Sequence, residues 1–223
     1  MDSESANESL GALPRVRRNG AEVFHSAGAE LGFNLLSFWQ WSASDLVSNT
    51  LRGVLAEYVV AQAVAAAQGV REEWAPYDLR TPDGITVEVK SAAYIQTWHQ
   101  ERLSPVVFSC AKTRGWDPQT GSYKVEPRRQ AEVYVFALLA HQEQASLDPL
   151  DLDQWEFYVV PTAVLDARER SQHSITLPSL KALHGEPVRF AGIADAVKRA
   201  AGEQARDQTC ESNLRSARGA GGG

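Results

Sequence analysis

The chain has 223 residues, 43% of them hydrophobic, which suits one well-buried globular domain with additional tails. Its formal net charge of −6 argues against a protein that binds nucleic acid through bulk positive charge. The sequence has no long uncharged apolar segment and no N-terminal signal pattern, which predicts a cytoplasmic protein without a membrane span. Two cysteines, Cys110 and Cys210, are too few and too far apart for a disulfide framework or a zinc site.

Composition predicts three regions along the chain. Residues 1–30 are rich in Ser, Gly, Ala and charged side chains, which is typical of a poorly ordered arm. Residues 31–201 are predicted to form a single domain, followed by a flexible tail over residues 202–223. The domain begins with the aromatic segment Leu31–Trp41, which favours packing against another surface, such as a partner subunit.

A long helix is predicted over Asp45–Ala67, with Ser42 or Ser44 as its N-cap. The apolar residues that recur at helical spacing are Leu51, Val54, Leu55, Tyr58, Ala61 and Ala65. Glu57 lies among apolar neighbours and is therefore predicted to be at least half buried, which is costly for a carboxylate without a partner. A metal ion would offset that cost, and so would an arginine such as Arg52, so both interpretations remain open.

The next segment is predicted to be a hairpin. Strand-like residues 74–80 and 85–91 flank the turn sequence Thr81-Pro82-Asp83-Gly84. Proline at the second position and glycine at the fourth are typical of a type I turn whose glycine forms a one-residue bulge. This turn pairs Thr81 with Ile85, and the same register places Asp78 opposite Glu88.

Asp78, Glu88 and Lys90 are predicted to share one face of this hairpin. Directly opposed residues lie about 5 Å apart at Cβ, and Lys90 follows Glu88 by two residues, about 6.6 Å along the strand. The opposite face is predicted to carry Tyr77, Leu79, Ile85, Val87 and Val89. A plain four-residue turn would shift the register by one and separate Asp78 from Glu88.

Asp78, followed by Glu88-Val89-Lys90 on a hairpin behind an acid-bearing helix, resembles the PD-(D/E)XK nucleases, the restriction-endonuclease-like superfamily, including uncharacterised bacterial members. The resemblance covers about residues 42–161 and implies an α/β fold whose mixed β-sheet is flanked by helices. It implies a Mg²⁺-dependent phosphodiesterase, with Mn²⁺ as an alternative ion, acting as a DNA endonuclease in restriction, defence or repair. Asp78, Glu88 and Glu57 would bind the metal and Lys90 would position or activate the attacking water.

Two further residues are candidates for this site. The backbone carbonyl of Val89 is a candidate additional metal ligand. Gln96 is a candidate auxiliary residue because some members of the superfamily place a glutamine shortly after the lysine, but an ordinary polar surface residue is the alternative.

The segment after the hairpin is a candidate nucleic-acid contact. Residues 101–130 carry six cations and three acids, a local net charge of 6 − 3 = +3. The long irregular segment Ala111–Gln130 also contains aromatic residues, which favours either nucleic-acid binding or a solvated surface flap. The candidate binding residues are Lys112, Arg114, Lys124, Arg128 and Arg129.

The remaining elements complete the predicted α/β domain. Strands are predicted over Val106–Cys110, Glu132–Ala140 and Trp155–Val160, the second of them central and buried on both faces. Helices are predicted over Thr162–Arg170, Ser179–Leu183 and Gly192–Ala201. The alternative to a nuclease is a catalytically silent nucleic-acid-binding or protein-interaction module on the same fold. Cutting both strands of DNA commonly requires two active sites, so the sequence leaves open whether the protein forms a homodimer.

Overall fold

The computed structural model describes residues 13–117, 121–123, 126–169 and 171–219. Its strands are β1 (Val23–Ser26), β2 (Ala29–Asn34), β3 (Leu79–Arg80), β4 (Thr86–Ala93), β5 (Val107–Ser109), β6 (Trp116–Asp117), β7 (Ser122–Tyr123), β8 (Val133–Leu139), β9 (Trp155–Pro161) and β10 (Ser174–Thr176). Its α-helices are α1 (Leu35–Ala43), α2 (Asn49–Ala63), α3 (Thr162–Asp166), α4 (Leu177–His184) and α5 (Ile193–Gly219).

A four-stranded mixed sheet with the order β3-β4-β8-β9 forms the centre of the fold. The outer pairs are antiparallel, whereas β4 and β8 run parallel, with Val87 opposite Val133 and Ala93 opposite Leu139. Every residue of β8 is buried, which confirms that this apolar segment is a central strand. The mixed sheet flanked by helices confirms the predicted fold class.

Successive side chains along each strand point to opposite faces of the sheet, and they contribute to two hydrophobic cores, one on each face. The first core joins the sheet to α2 and α5, through residues such as Val60 and Val197. The second joins it to β5, β10, α3 and α4, through residues such as Phe108, Leu165 and Leu180. Both faces of the sheet are therefore packed against other elements.

The predicted hairpin register is confirmed. The backbone amide of Thr81 donates to the carbonyl of Ile85 at 2.9 Å, and the amide of Gly84 donates to the carbonyl of Thr81 at 2.9 Å. Gly84 has φ +88°, the left-handed conformation that the bulge requires, and Leu79 pairs with Val87. Tyr77 was wrongly placed with Leu79, because it packs against the second core. Strand β3 begins at Leu79, so the alternation of faces does not extend back to Tyr77.

Helix α2 is shorter than predicted, and neither predicted N-cap is correct. Ser48 caps it, since its side-chain oxygen accepts from the amide of Leu51 at 3.4 Å. The helix ends at Ala63, and Ala65 takes a positive φ of 56°, which right-handed helix does not allow.

Regular structure also occurs in both segments that were expected to lack it. Strand β1 lies inside the predicted arm and pairs with β2, which begins there, and α5 continues through the predicted tail as far as Gly219. A buried side chain anchors α5 to the domain, because Gln204 accepts from the amide of Ala163 at 2.7 Å. Among the described helices, none combines the length and hydrophobicity needed to cross a bilayer.

Candidate active site

Asp78 is fixed beside β4 by the end of the neighbouring strand. Its Oδ2 accepts a hydrogen bond from the amide of Val89 at 2.7 Å. Strand β3 covers only Leu79 and Arg80, so the Asp78 side chain takes the place that a longer strand's backbone carbonyl would occupy. The carboxylate therefore lies beside the peptide bond between Glu88 and Val89, although Asp78 itself stands outside β3.

Glu88 and Lys90 form a close ion pair on β4. The Lys90 Nζ lies 2.6 Å from Glu88 Oε1, and the side chains are only 31% and 18% exposed. Burial raises the pKa of Glu88, and the charge of Asp78 raises it further. Burial alone would lower the pKa of Lys90, but the nearby carboxylates, Glu88 foremost, outweigh burial and raise it. Lys90 is therefore a cation at neutral pH.

Glu57 is buried on α2 and forms an ion pair. Arg71 Nε lies 2.7 Å from Glu57 Oε2, so the structure supplies the arginine partner from a later loop rather than from Arg52. Burial raises the pKa of Glu57, opposed by Arg71 and reinforced by the negative charge of Asp78. The charges of Asp78 and Lys90 act on the pKa of both Glu57 and Glu88, and Glu57 and Asp78 line one cavity, so we group these four residues as one electrostatic cluster.

Each of the three carboxylates has one oxygen in use and one available. Asp78 Oδ2, Glu88 Oε1 and Glu57 Oε2 accept the bonds described above, whereas among the described residues no donor reaches their other oxygens. Such oxygens are the donors that Mg²⁺ prefers. The described residues contain no ready group of three or more His, Cys, Asp or Glu side chains that could hold a metal ion. Mg²⁺ is usually held by one or two carboxylates and keeps several of its waters, so a metal ion at these carboxylates stays a prediction.

The carbonyl of Val89 is directed to the same edge as Asp78. In a strand, the amide and carbonyl of one residue point to the same side. Since the Val89 amide bonds to Asp78, the Val89 carbonyl also faces the edge beyond the end of β3.

Gln96 is not the surface residue that the alternative interpretation predicted. It is 8% exposed, and its Oε1 accepts from Arg52 Nη1 at 3.1 Å. Arg52 is itself buried and also donates to Ser91 Oγ at 3.1 Å and to Asn49 Oδ1 at 2.7 Å. This network connects the start of α2 to the residue after Lys90. No spacing rule in the sequence joins Arg52 to Gln96, so sequence reasoning missed the network.

The candidate nucleic-acid contacts differ in their exposure to solvent. Lys112, Arg114 and Arg128 are exposed, and Lys112 also forms an ion pair with Asp166 Oδ1 at 3.2 Å. Lys124 lies outside the described residues.

Arg129 was wrongly placed among the surface cations. Its side chain is fully buried, where it bonds to the carbonyls of Cys110 and Gln172 and pairs with Asp166. Burial among these acceptors leaves its guanidinium inaccessible to a phosphate. The same packing confirms that Cys110 is a core residue.

The aromatic segment near the N-terminus has a large exposed surface. Helix α1 has no buried residue, and Trp41 is 84% exposed, with Phe38 and Leu36 also exposed. The segment therefore does not pack into either core of the domain, and its role as a contact to a partner stays a prediction.

A mixed α/β fold with two or three carboxylates and a lysine at a sheet edge defines a candidate phosphodiesterase. The family model described as bacteriophage T4 endonuclease IV matches residues 34–177, more than half of the chain. The chain belongs to this family, which is a family of nucleases, and the match spans α2, the hairpin and all four strands of the central sheet. A comparison with curated proteins found no match.

Proposed function

We propose that this protein is a metal-dependent DNA endonuclease of the PD-(D/E)XK type, with Mg²⁺ as its cofactor and Mn²⁺ as an alternative. One observation carries the proposal: the Glu88–Lys90 ion pair, 2.6 Å long, lies beside the Asp78 carboxylate that is fixed 2.7 Å from the amide of Val89. The family match supports nuclease activity. Restriction, defence or repair in the cytoplasm is the proposed setting.

Asp78 and Glu88 are the proposed metal ligands, with the Val89 carbonyl as an additional donor and Glu57 holding either the ion or one of its waters. A bound Mg²⁺ supplies Lewis-acid polarisation of the phosphate and lowers the pKa of water. The carboxylates also hold negative charge away from bulk water, which strengthens their attraction for a divalent cation.

Lys90 orients the attacking water and offsets charge on the phosphate. Hydrolysis joins a water oxygen to phosphorus and breaks one phosphorus–oxygen ester bond, while the proton lost by the attacking water passes to solvent and the leaving oxygen takes a proton from solvent. The Lys90 ammonium has three donors and no acceptor, so it can donate a hydrogen bond to the water but cannot accept the water's proton. The Glu88 contact fixes this cation at the site.

Cleavage assays with purified protein test the proposal. Supercoiled plasmid, linear DNA, branched DNA and RNA would each be incubated with Mg²⁺, Mn²⁺ or a chelator. We expect DNA cleavage that requires a metal and is lost in Asp78→Ala, Glu88→Ala and Lys90→Ala. Cleavage that continues in chelator, or in the Glu88→Ala variant, would refute the proposed site.

The exposed aromatic residues of α1 support the second candidate, a catalytically silent interaction module. Trp41 and Phe38 offer apolar contact area that the fold leaves uncovered. Absence of DNA and RNA retention in low-salt shift assays would favour this protein-interaction module over the enzyme.

A further inference from the structure

A cavity of about 500 Å³ opens beside Glu57 and Asp78, and the metal site alone gives it no role. Its volume lies within the range of sites that bind small organic groups. Part of its wall is apolar, formed by residues that include Val54, Ala61 and Leu79. A cavity of this size next to a phosphodiesterase site is suited to one nucleotide of a substrate strand.

Arg71 lines the cavity with most of its hydrogen-bonding capacity unused. Its side chain is 43% exposed, and its Nε donates to Glu57 Oε2 at 2.7 Å. Among the described residues, no acceptor is bonded to its Nη1 or Nη2. A guanidinium presents these terminal groups as a fork that matches two phosphate oxygens. Arg71 can therefore hold Glu57 and a phosphate at the same time.

The other arginines of the cavity differ in availability. Arg80 donates through Nε to the Tyr77 hydroxyl at 3.0 Å and through Nη1 to the carbonyl of Gly84 at 3.2 Å. Arg17 also lines the cavity, and its guanidinium has no hydrogen-bond acceptor among the described residues. Arg71, which is attached directly to a residue of the cluster, is thus the best-placed phosphate contact.

The charge of the lining is more favourable to a phosphate than that of the whole chain. Three arginines and three acids line the cavity, a sum of 3 − 3 = 0, whereas the chain has a net charge of −6. Glu72 is the lining acid that does not belong to the electrostatic cluster, and it forms an ion pair with Arg15 at 3.1 Å. A metal ion bound at Asp78 would make this region net positive.

Tyr58 adds a surface for a base. It lines the cavity from α2, one residue after Glu57, and is 56% exposed. Aromatic rings exposed in a groove stack on nucleic-acid bases with little dependence on sequence.

Resting on the proposed nuclease function, we propose that this cavity binds the nucleotide adjoining the scissile bond, with Arg71 on its phosphate and Tyr58 stacked on its base. Glu57 and Asp78 are walls of both the cavity and the metal site. A nucleotide in the cavity would therefore place its neighbouring phosphodiester at the carboxylates. Arg71 is then a substrate-binding residue, and its bond to Glu57 fixes its orientation.

Equilibrium binding of a short fluorescein-labelled DNA oligonucleotide, measured by anisotropy in chelator across a series of KCl concentrations, tests Arg71. The slope of log affinity against log salt is negative, and each lost phosphate contact makes it shallower by about 0.7–0.9. We expect Arg71→Ala to make this slope shallower by the amount of one phosphate contact and to weaken binding roughly tenfold. The control Arg206→Ala removes the same charge from an exposed site on α5 outside the cavity and should change neither quantity.

A purely structural role for Arg71 predicts a different result. Arg71→Ala would then change thermal stability because Glu57 loses its partner, but the salt slope would stay at the wild-type value. In the double variant Arg71→Ala/Glu57→Gln, residue 57 has no buried charge that needs a partner. This variant should therefore fold even if Arg71→Ala does not. Compared with Glu57→Gln alone, the double variant should again have a slope shallower by the amount of one phosphate contact, and an unchanged slope would overturn the proposal.

Tyr58 has a distinct signature because stacking involves no counterion. We expect Tyr58→Ala to weaken oligonucleotide binding roughly tenfold with an unchanged salt slope, while Tyr58→Phe binds like wild type. Equal binding by Tyr58→Ala and wild type would refute the stacking role.

These outcomes are separable from those of the nuclease proposal, because binding is measured without metal. Cleavage by wild type together with Arg71-independent binding would overturn only the nucleotide site. Binding that depends on Arg71 and Tyr58 in a protein that never cleaves would overturn only the nuclease proposal.

Discussion

Lys90 is the residue whose proposed role depends most on its charge. Its ammonium lies 2.6 Å from Glu88, and the surrounding carboxylates raise the pKa of Lys90. We expect Lys90→Met, which keeps the length of the side chain, to lower the single-turnover cleavage rate at least about a hundredfold, since a positioned charge at a transition state is worth that much. Oligonucleotide binding in chelator should remain.

The matched control for Lys90→Met is Lys181→Met, which removes the same charge from an exposed position on α4. Cleavage by the control should equal that of wild type. A Lys90→Met rate within a factor of about three of wild type would exclude an essential ammonium, because such a difference is under 1 kcal/mol.

Adjacent arginines in the basic segment have opposite roles. Arg129 is fully buried with carbonyl and carboxylate acceptors, whereas Arg128 is exposed. We expect Arg129→Ala to lower the free energy of unfolding by about 3 kcal/mol, because it leaves buried acceptors without a donor. Arg128→Ala should change it by less than about 0.5 kcal/mol. Urea unfolding would measure both, and equal stabilities would contradict the buried role of Arg129.

At the scale of elements, the β3–β4 hairpin sets the register of the site through Gly84. The left-handed φ of +88° is costly for a residue with a Cβ, although the space around Gly84 is open. We expect Gly84→Ala to lower the free energy of unfolding by about 1 kcal/mol. The same exchange at Gly202, inside α5, should have the opposite sign, with a gain of up to about 1 kcal/mol. Urea unfolding of both variants distinguishes backbone strain from a general effect of alanine.

The hairpin, α2 and the central strand were predictable because local chemistry determines them. The Thr81–Gly84 turn sequence specifies one register, and the uninterrupted apolar segment of β8 specifies a buried strand. The partners of buried charges were not predictable in the same way. Arg71 reaches Glu57 from an irregular loop, and Arg129 is buried by acceptors that come from distant segments.

The limits of α2 and α5 show what sequence patterns leave open. Two serines looked equally suitable as caps for α2, but Ser48 lies where the chain enters the helix. The last part of α5 has the polar composition of a tail, yet its first turns pack on the sheet through Ile193 and Val197, and the helix propagates from there. A local cap therefore sets the start of α2, whereas tertiary packing stabilises α5.

At the scale of the whole molecule, the sheet divides the fold into two cores, and the charged cluster lies at an edge of that sheet. Helix α2 contributes Ala56 and Val60 to one core while Glu57, between them, joins the cluster. The site is thus built on elements that the cores hold rigid. Such a site brings like charges together in the absence of a bound cation. Burial, and also the negative charge of Asp78, raise the pKa of Glu88 and of Glu57.

A cation at the cluster should therefore stabilise the entire fold. A ligand that binds only the native state at a concentration of about 100 times its Kd adds about 2.7 kcal/mol to the free energy of unfolding. We expect saturating Mg²⁺ to raise the urea midpoint of wild type relative to chelator, and to have little effect on Asp78→Asn. The asparagine oxygen can still accept from the Val89 amide, so this variant preserves the hairpin contact while removing the charge.

The control for this experiment is Glu203→Gln, which removes an acidic charge from an exposed position on α5. It should keep the full Mg²⁺ response, since general screening by a divalent salt would act on it and on Asp78→Asn alike. Equal responses in wild type, Asp78→Asn and Glu203→Gln would mean that Mg²⁺ acts on the surface as a whole, and the proposed metal site would then be wrong. A response lost only in Asp78→Asn would localise the ion to the edge of β4 without relying on any cleavage assay.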